Sequence, residues 1–406
     1  MVRRVFARSL YAGLPALILV AGTAGAQASG KEKVLHSFTG FATGQDGSLP
    51  YGGVVRDDAG NLYGTTFNGG ANDLGTVFKI APNGTETVLH SFANGGDDGV
   101  NPVAGVILDK QGNVYGTTRN GSAHNVGVLF KLTPQGTETV LHIFSGGNGN
   151  KDGGRPQADL ILDDAGNIYG TTHSGGGKGV CNQDNCGTVF KFAPDGTETI
   201  LHAFTGGKDG GYPNAPVMLD ASGNLYGATE TGGNTALCGG AGCGVVFKIS
   251  PAGKETVLYA FSGPDGRDPL AGLVGDAQGN FYGTTNGGGN ADAGVVFKLT
   301  PNGKETVLRE FNLGGDNGGV NPLGSLIMDA KGFLYGTTSN GGLTNNGVVY
   351  KITQRGKLTV LYPFEGGDDG ANPIAGVIMD AQGTLYGTTN RRGGSTTDGT
   401  VFKLRN

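Results

Sequence analysis

Tryptophan is absent from the 406 residues, and histidine (6), cysteine (4) and methionine (4) are scarce. Without Trp, a sugar-binding platform of the usual kind is disfavoured, although 13 tyrosines can stack on sugars in its place. No H-E-x-x-H, G-x-S-x-G or phosphate-loop pattern occurs, so the chain lacks the groups of zincins, α/β-hydrolases and nucleotide hydrolases. Charged residues make up only 16% of the chain, with a net charge of −5 and no basic stripe, which speaks against a nucleic-acid partner. Beyond the first 28 residues no run approaches the ~20 apolar residues of a membrane helix. No window there sustains a helical period.

Glycine, by contrast, accounts for 81 residues. At that level an aperiodic chain would read as disordered, but these glycines recur at fixed slots of a repeat. The tetrapeptide YGTT, once YGAT, begins at Tyr63, Tyr115, Tyr169, Tyr226, Tyr282, Tyr335 and Tyr386, with separations of 52, 54, 57, 56, 53 and 51 residues. Each copy holds four short apolar segments, in the second copy AGVILD (104–109), NVYGTT (113–118), GVLFKL (127–132) and ETVLHIF (138–144). They are rich in β-branched and aromatic residues and bounded by turn formers, which predicts strands. Four antiparallel strands per ~50 residues is the pattern of a propeller blade. A β-solenoid is the alternative, with shorter coils.

The phase of the repeat favours the propeller. A lone VLHSF (34–38), equivalent to the last strand of a unit, precedes the first complete unit, and the chain stops after GTVFKL (399–404), a third strand. Joining the two completes a seventh blade and removes an open sheet edge. The expectation is an all-β, seven-bladed propeller over residues 31–406, closed by strand 33–38 joining strands within 375–404. Residues 1–28 carry Arg3, Arg4 and Arg8, an apolar stretch from Leu14 to Val20 and small residues at Ala24–Ala28, the layout of a secretory signal peptide. Arg3-Arg4-Val5-Phe6 also fits a twin-arginine signal. Removal of this leader takes away three arginines and no acids, so −5 − 3 gives a net charge of −8. Export makes disulfides expected. Cys181 with Cys186 and Cys238 with Cys243 each close one loop, with cross-pairing or a metal site as the less natural arrangements.

Two rows of variable residues stand out against the repeat. The residue before the first-strand proline is Leu49, Asn101, Arg155, Tyr212, Asp268, Asn321 or Asn372, and the residue after YGTT is Phe67, Arg119, His173, Glu230, Asn286, Ser339 or Asn390. Antiparallel connectivity puts both rows on one face of the disc, where the long loops gather, and variable loops on a rigid scaffold carry function. Arg119, Arg155, His173, Tyr212, Glu230 and Asp268 are the candidate ligand-binding rim, suited to a sugar, carboxylate or peptide group. A weaker candidate is a calcium loop with Asn148, Asn150, Asp152 and Asp159 as ligands; no other cofactor is expected. The aspartates that end each first strand (Asp57 and its counterparts) read as turn-stabilising, and His36, His90, His142 and His202 as residues of packing and edge polarity on the last strand rather than of catalysis. Catalytic residues are not assigned.

The phrase NLYGTT, a glycine-rich gap, GTVFKLTPNGTETVLHSF and a GG-x-DG-x-NP loop together resemble the GloVer tandem-repeat family of exported bacterial proteins, over residues 31–406. The resemblance implies a surface or secreted protein and brings no catalytic residues. Some members carry a C-terminal anchor, whereas this chain ends in Val-Phe-Lys-Leu-Arg-Asn, so a soluble secreted or periplasmic product is expected. The functional expectation is a monomeric, non-catalytic binding or structural module for an extracellular glycan, peptide or protein. The alternative is a secreted lyase or hydrolase working from channel-mouth side chains such as His173, Glu230 and Arg119.

Overall fold

The computed structural model describes residues 31–405 apart from 41–45, 147–151, 178, 180, 182–184, 313–317 and 392–397. The expected leader (1–28) and two of the expected calcium ligands, Asn148 and Asn150, lie outside the described residues.

Seven four-stranded antiparallel sheets follow one another along the chain. Blade one runs from its inner strand Val55–Arg56 through Leu62–Thr66 and Thr76–Ile80 to the outer strand Glu86–Ser91. Blade seven is composite: Ile378–Met379, Thr384–Thr389 and Thr400–Arg405 are completed by Lys31–Ser37, which pairs antiparallel with Thr400–Arg405. The ring is therefore closed by the first and last strands, as the phase of the repeat predicts. The inner strands are shorter than the sequence suggests, with only two ladder pairs each, as in Ile107 with Tyr115 and Leu108 with Val114. Neighbouring inner strands crowd at the axis, and a methyl group on Gly52 would sit 2.4 Å from the Gly105 nitrogen.

Every position of YGTT has a physical task. In all seven blades the Tyr hydroxyl donates to the aspartate ending the inner strand, at 2.9–3.1 Å. Glycine follows because the third strand's aromatic lies over its backbone; a Cβ on Gly64 would meet the Phe78 ring at 2.6 Å. In four blades the first threonine latches blade to blade, whereas Thr117 and Thr284 leave the hydroxyl without a hydrogen bond and Ala228 has none to offer. Thr65 donates to the Ala104 carbonyl at 2.6 Å, and Thr388 donates to Gly52 at 3.0 Å across the closure. The second threonine turns the chain by donating to the carbonyl two residues on, as Thr66 does to Asn68 at 2.9 Å. Buried third-strand aromatics (Phe78, Phe130, Phe190, Phe247, Phe297, Tyr350, Phe402) fill the space between blades. In six blades the lysine after the aromatic reaches back over the YGTT ring, Lys79 Nζ lying 5.6 Å from the Tyr63 centroid, and over Tyr386 the cation is Arg56.

Candidate functional site

The two variable rows meet, and backbone geometry is what joins them. The carbonyl of each pre-proline residue accepts the amide of the post-YGTT residue of its own blade: Asn101 from Arg119, Arg155 from His173, Tyr212 from Glu230, Asp268 from Asn286. Its own amide donates to the preceding blade, Arg155 to the Val126 carbonyl at 2.7 Å and Tyr212 to Cys186 at 2.9 Å. Satisfying both bonds requires a left-handed backbone. All seven pre-proline residues have φ between 54° and 57°. Asparagine tolerates this region and bulky side chains do not. Where Asn stands, its side chain caps the neighbouring blade: Asn101, Asn321 and Asn372 donate to the carbonyls of Phe67, Asn286 and Ser339 at 3.0, 3.0 and 2.8 Å.

Blades three to five break this pattern. The Tyr212 ring stacks on the His173 imidazole, with centroids 4.5 Å apart and planes 11° from parallel, while its hydroxyl donates to the Cys181 carbonyl at 2.9 Å. Asn214 ties the stack to the next carboxylate. Its Nδ2 donates to Glu230 Oε2 at 2.6 Å, which turns its Oδ1 toward His173 Nδ1 at 2.9 Å, so that nitrogen carries the proton. Burial raises the Glu230 pKa, and the Asp268 carboxylate adds to the rise. Asp268 is raised by burial as well, against the pull of its ion pair with Arg267; Arg267 also grips Asp292 with Nε and Nη2, both at 2.8 Å. The fork holds Asp292 at a pKa of about 2.

Four of the six candidate rim residues thus gather at one arc: His173, Tyr212, Glu230 and Asp268. Arg119 and Arg155 occupy the corresponding slots at the junction of blades two and three, and the Arg119 Nε is enclosed with no hydrogen-bond partner. Asn214 was missed, although the column it belongs to was readable. The residue after the proline is Tyr51, Val103, Gln157, Asn214, Leu270, Leu323 or Ile374, polar-uncharged only in blades three and four. Asp152 and Asp159, the described members of the expected calcium loop, serve different contacts. Asp152 accepts the amide and hydroxyl of Ser145 and faces His142, whereas Asp159 accepts the Gly105 amide at 2.6 Å and lines the axial channel. That channel holds a cavity of about 760 Å³, walled by inner-strand residues such as Leu160, Val217 and Leu273 with Asp159 among them.

Both expected local disulfides form, Cys181–Cys186 and Cys238–Cys243. The first sits directly behind the stack, because Cys181 receives the Tyr212 hydroxyl and Cys186 its amide. No curated protein matches the sequence. Among solved structures, the chain is similar to the extracellular domains of proteins assigned as hybrid two component systems of B. thetaiotaomicron. For BT4673 the TM-score is 0.56 at 11% identity, over 90% of this chain and 39% of that one. For BT3049 the TM-score is 0.51 at 13% identity, over 90% of this chain and 41% of that one. The chain therefore spans well under half the length of those proteins. A protein assigned as a 6-phosphogluconolactonase of Bacteroides uniformis is similar at TM-score 0.52 and 15% identity, over 80% of this chain and 88% of that one. At such identities the likeness is one of fold alone. The repeat itself is more specific: a family model matches residues 25–240 and 233–406, and the chain belongs to the Gloeobacter/Verrucomicrobia repeat family.

Proposed function

We propose that the protein is a non-catalytic binding module working outside the cytoplasm, and that it holds a polar ligand on its long-loop face across blades two to five. The observation that carries this reading is the backbone at Arg155 and Tyr212. These two put bulky side chains at φ values of 55° and 56°, in a slot where Asn recurs in three other blades. Strain of this kind persists where the side chain does something for the molecule. The arc is graded in chemistry, from two guanidinium groups through a stacked ring pair to two carboxylates. A ligand with an acidic group, a flat or ring-shaped middle and a hydroxyl or amine at its far end suits it, as an acidic sugar or peptide fragment would. Asn214 stands between His173 and Glu230 and occupies both, which favours a holding role over proton transfer between them. Disulfides and the extracellular domains among the structural neighbours support an extracytoplasmic setting.

Glycan and peptide arrays probed with residues 29–406 test this reading. Binding is expected to a subset of acidic glycans or peptides and to disappear in Arg155→Ala/His173→Ala. Unchanged binding in that variant would place the site elsewhere.

A further inference from the structure

The outer edge of the disc carries a second recurrent arrangement, unrelated to the rim. The aspartate of each D-G loop turns back onto the outer strand and meets the histidine slot there: His36 with Asp46, His90 with Asp98, His142 with Asp152 and His202 with Asp209. Blades four and six have Tyr259 and Tyr362 in this slot, each donating its hydroxyl to Asp265 or Asp369. The expectation of packing and edge polarity at this slot takes a specific form: each histidine has a carboxylate partner.

The outer strand of the next blade brings a glutamate toward each of these histidines, and at two places it closes to ion-pair distance. Glu138, on the outer strand of blade two, comes within 3.6 Å of His90 Nε2, which lies 3.5 Å from Asp98. Glu198, on the outer strand of blade three, comes within 3.7 Å of His142 Nε2, which lies 3.4 Å from Asp152. In each trio the three potential ligand atoms lie within 4.8 Å of one another. Two ligands held at metal–ligand distances of about 2.1 Å around a tetrahedral zinc ion are about 3.4 Å apart, close to these spacings. His90 Nε2 and His142 Nε2 are both enclosed without a hydrogen bond. Leaving such atoms unmatched is costly.

We propose that His90, Asp98 and Glu138, and separately His142, Asp152 and Glu198, bind two divalent cations of the zinc type, each clipping one blade to the next. One neutral imidazole and two carboxylates supply three ligands and two negative charges, and a water completes the tetrahedron. Ligand orientation is already set: Ala93 donates to Asp98 and Ser145 to Asp152, the supporting bonds that metal-binding carboxylates require. At His36 and His202 the imidazole instead hydrogen-bonds its aspartate at 3.2 and 3.3 Å, and the corresponding Glu86 and Glu255 stand nearby without closing a group of ligand atoms within 4.8 Å. The cation stoichiometry should therefore be two, not four.

The test uses untagged protein stripped with EDTA and titrated with Co²⁺, read by visible absorption, with Zn²⁺ competition. Two equivalents giving tetrahedral Co²⁺ bands, displaced by Zn²⁺, and a rise in Tm are expected. His90→Tyr/His142→Tyr copies the tyrosine found at this slot in two other blades, so it should fold and bind none. Glu138→Gln/Glu198→Gln should lose binding too, and serves if the tyrosine variant fails to fold. No stoichiometric Co²⁺ uptake, uptake of four equivalents, or full uptake by the glutamine variant would overturn the assignment.

Discussion

At the scale of single residues, the rim shows how a strained position can be read. Leu49 shares the left-handed slot with Arg155, at φ values of 57° and 55°, but lies at the closure, away from the graded arc. Replacing either with Asn fits the side chain to the backbone and adds the cap seen at Asn101, so each change should raise stability by about 1 kcal/mol. Urea unfolding of Leu49→Asn and Arg155→Asn checks this, and only the second should weaken array binding. Equal loss of binding in both would detach strain from function. The two rim columns were legible because charged and aromatic residues interrupt runs of Asn and Ser. The strain was not, since φ follows from hydrogen bonds to a neighbouring blade that no local sequence signal encodes. Asn214 escaped for a related reason: its importance lies in bridging Glu230 to His173, 41 residues away in sequence.

At the scale of elements, the two disulfides look alike in sequence and differ in what they support. Cys181–Cys186 backs the Tyr212 ring through two hydrogen bonds, whereas Cys243 receives the Asp268 amide and Cys238 a bond from within its own loop. Closing so short a loop stabilises by about 2 kcal/mol in either case. Cys181→Ser/Cys186→Ser and Cys238→Ser/Cys243→Ser should therefore lower stability similarly in denaturant titrations. The first pair of changes should reduce ligand binding much more. The four-strand blades and the closing strand were legible because alternation and turn residues are local and repeat seven times. The length of the inner strands was not, because their ends give up ladder bonds to turns and to adjacent blades, as when the Asp109 amide donates to the Asn113 carbonyl at 3.0 Å.

At the scale of the whole molecule, repetition multiplies small electrostatic effects into a pH profile. The turn aspartates, such as Asp109, are partly buried, which opposes ionisation, yet bonds from Asn113 and Tyr115 prevail and lower the pKa. Depressed carboxyls stabilise above the unfolded value near 4, and that contribution is lost as pH falls through the folded value. The outer-strand glutamates act in the opposite sense. Burial, then the nearby Asp369 or Asp265, lifts Glu32 and Glu305 to about 7. The folded state then holds protons that the unfolded state releases above about 4.5, so stability falls as pH rises from about 4.5 to about 7. Urea midpoints in EDTA should be highest near pH 4.5 and lower at pH 8. Glu32→Gln/Glu305→Gln should shrink that decline, and an unchanged decline would show that other groups control it.

The clasp at the pre-proline residue is made by backbone atoms alone: one carbonyl within the blade, one amide to the blade before. A clasp that ignores side chains lets any copy of the repeat stand next to any other. Exchange of whole units between copies, of the kind that near-identical DNA repeats undergo by misaligned recombination, would reorder the rim chemistry and leave the ring intact. Diversity in what such a surface holds can then arise by reshuffling blades already present, ahead of any new point mutation.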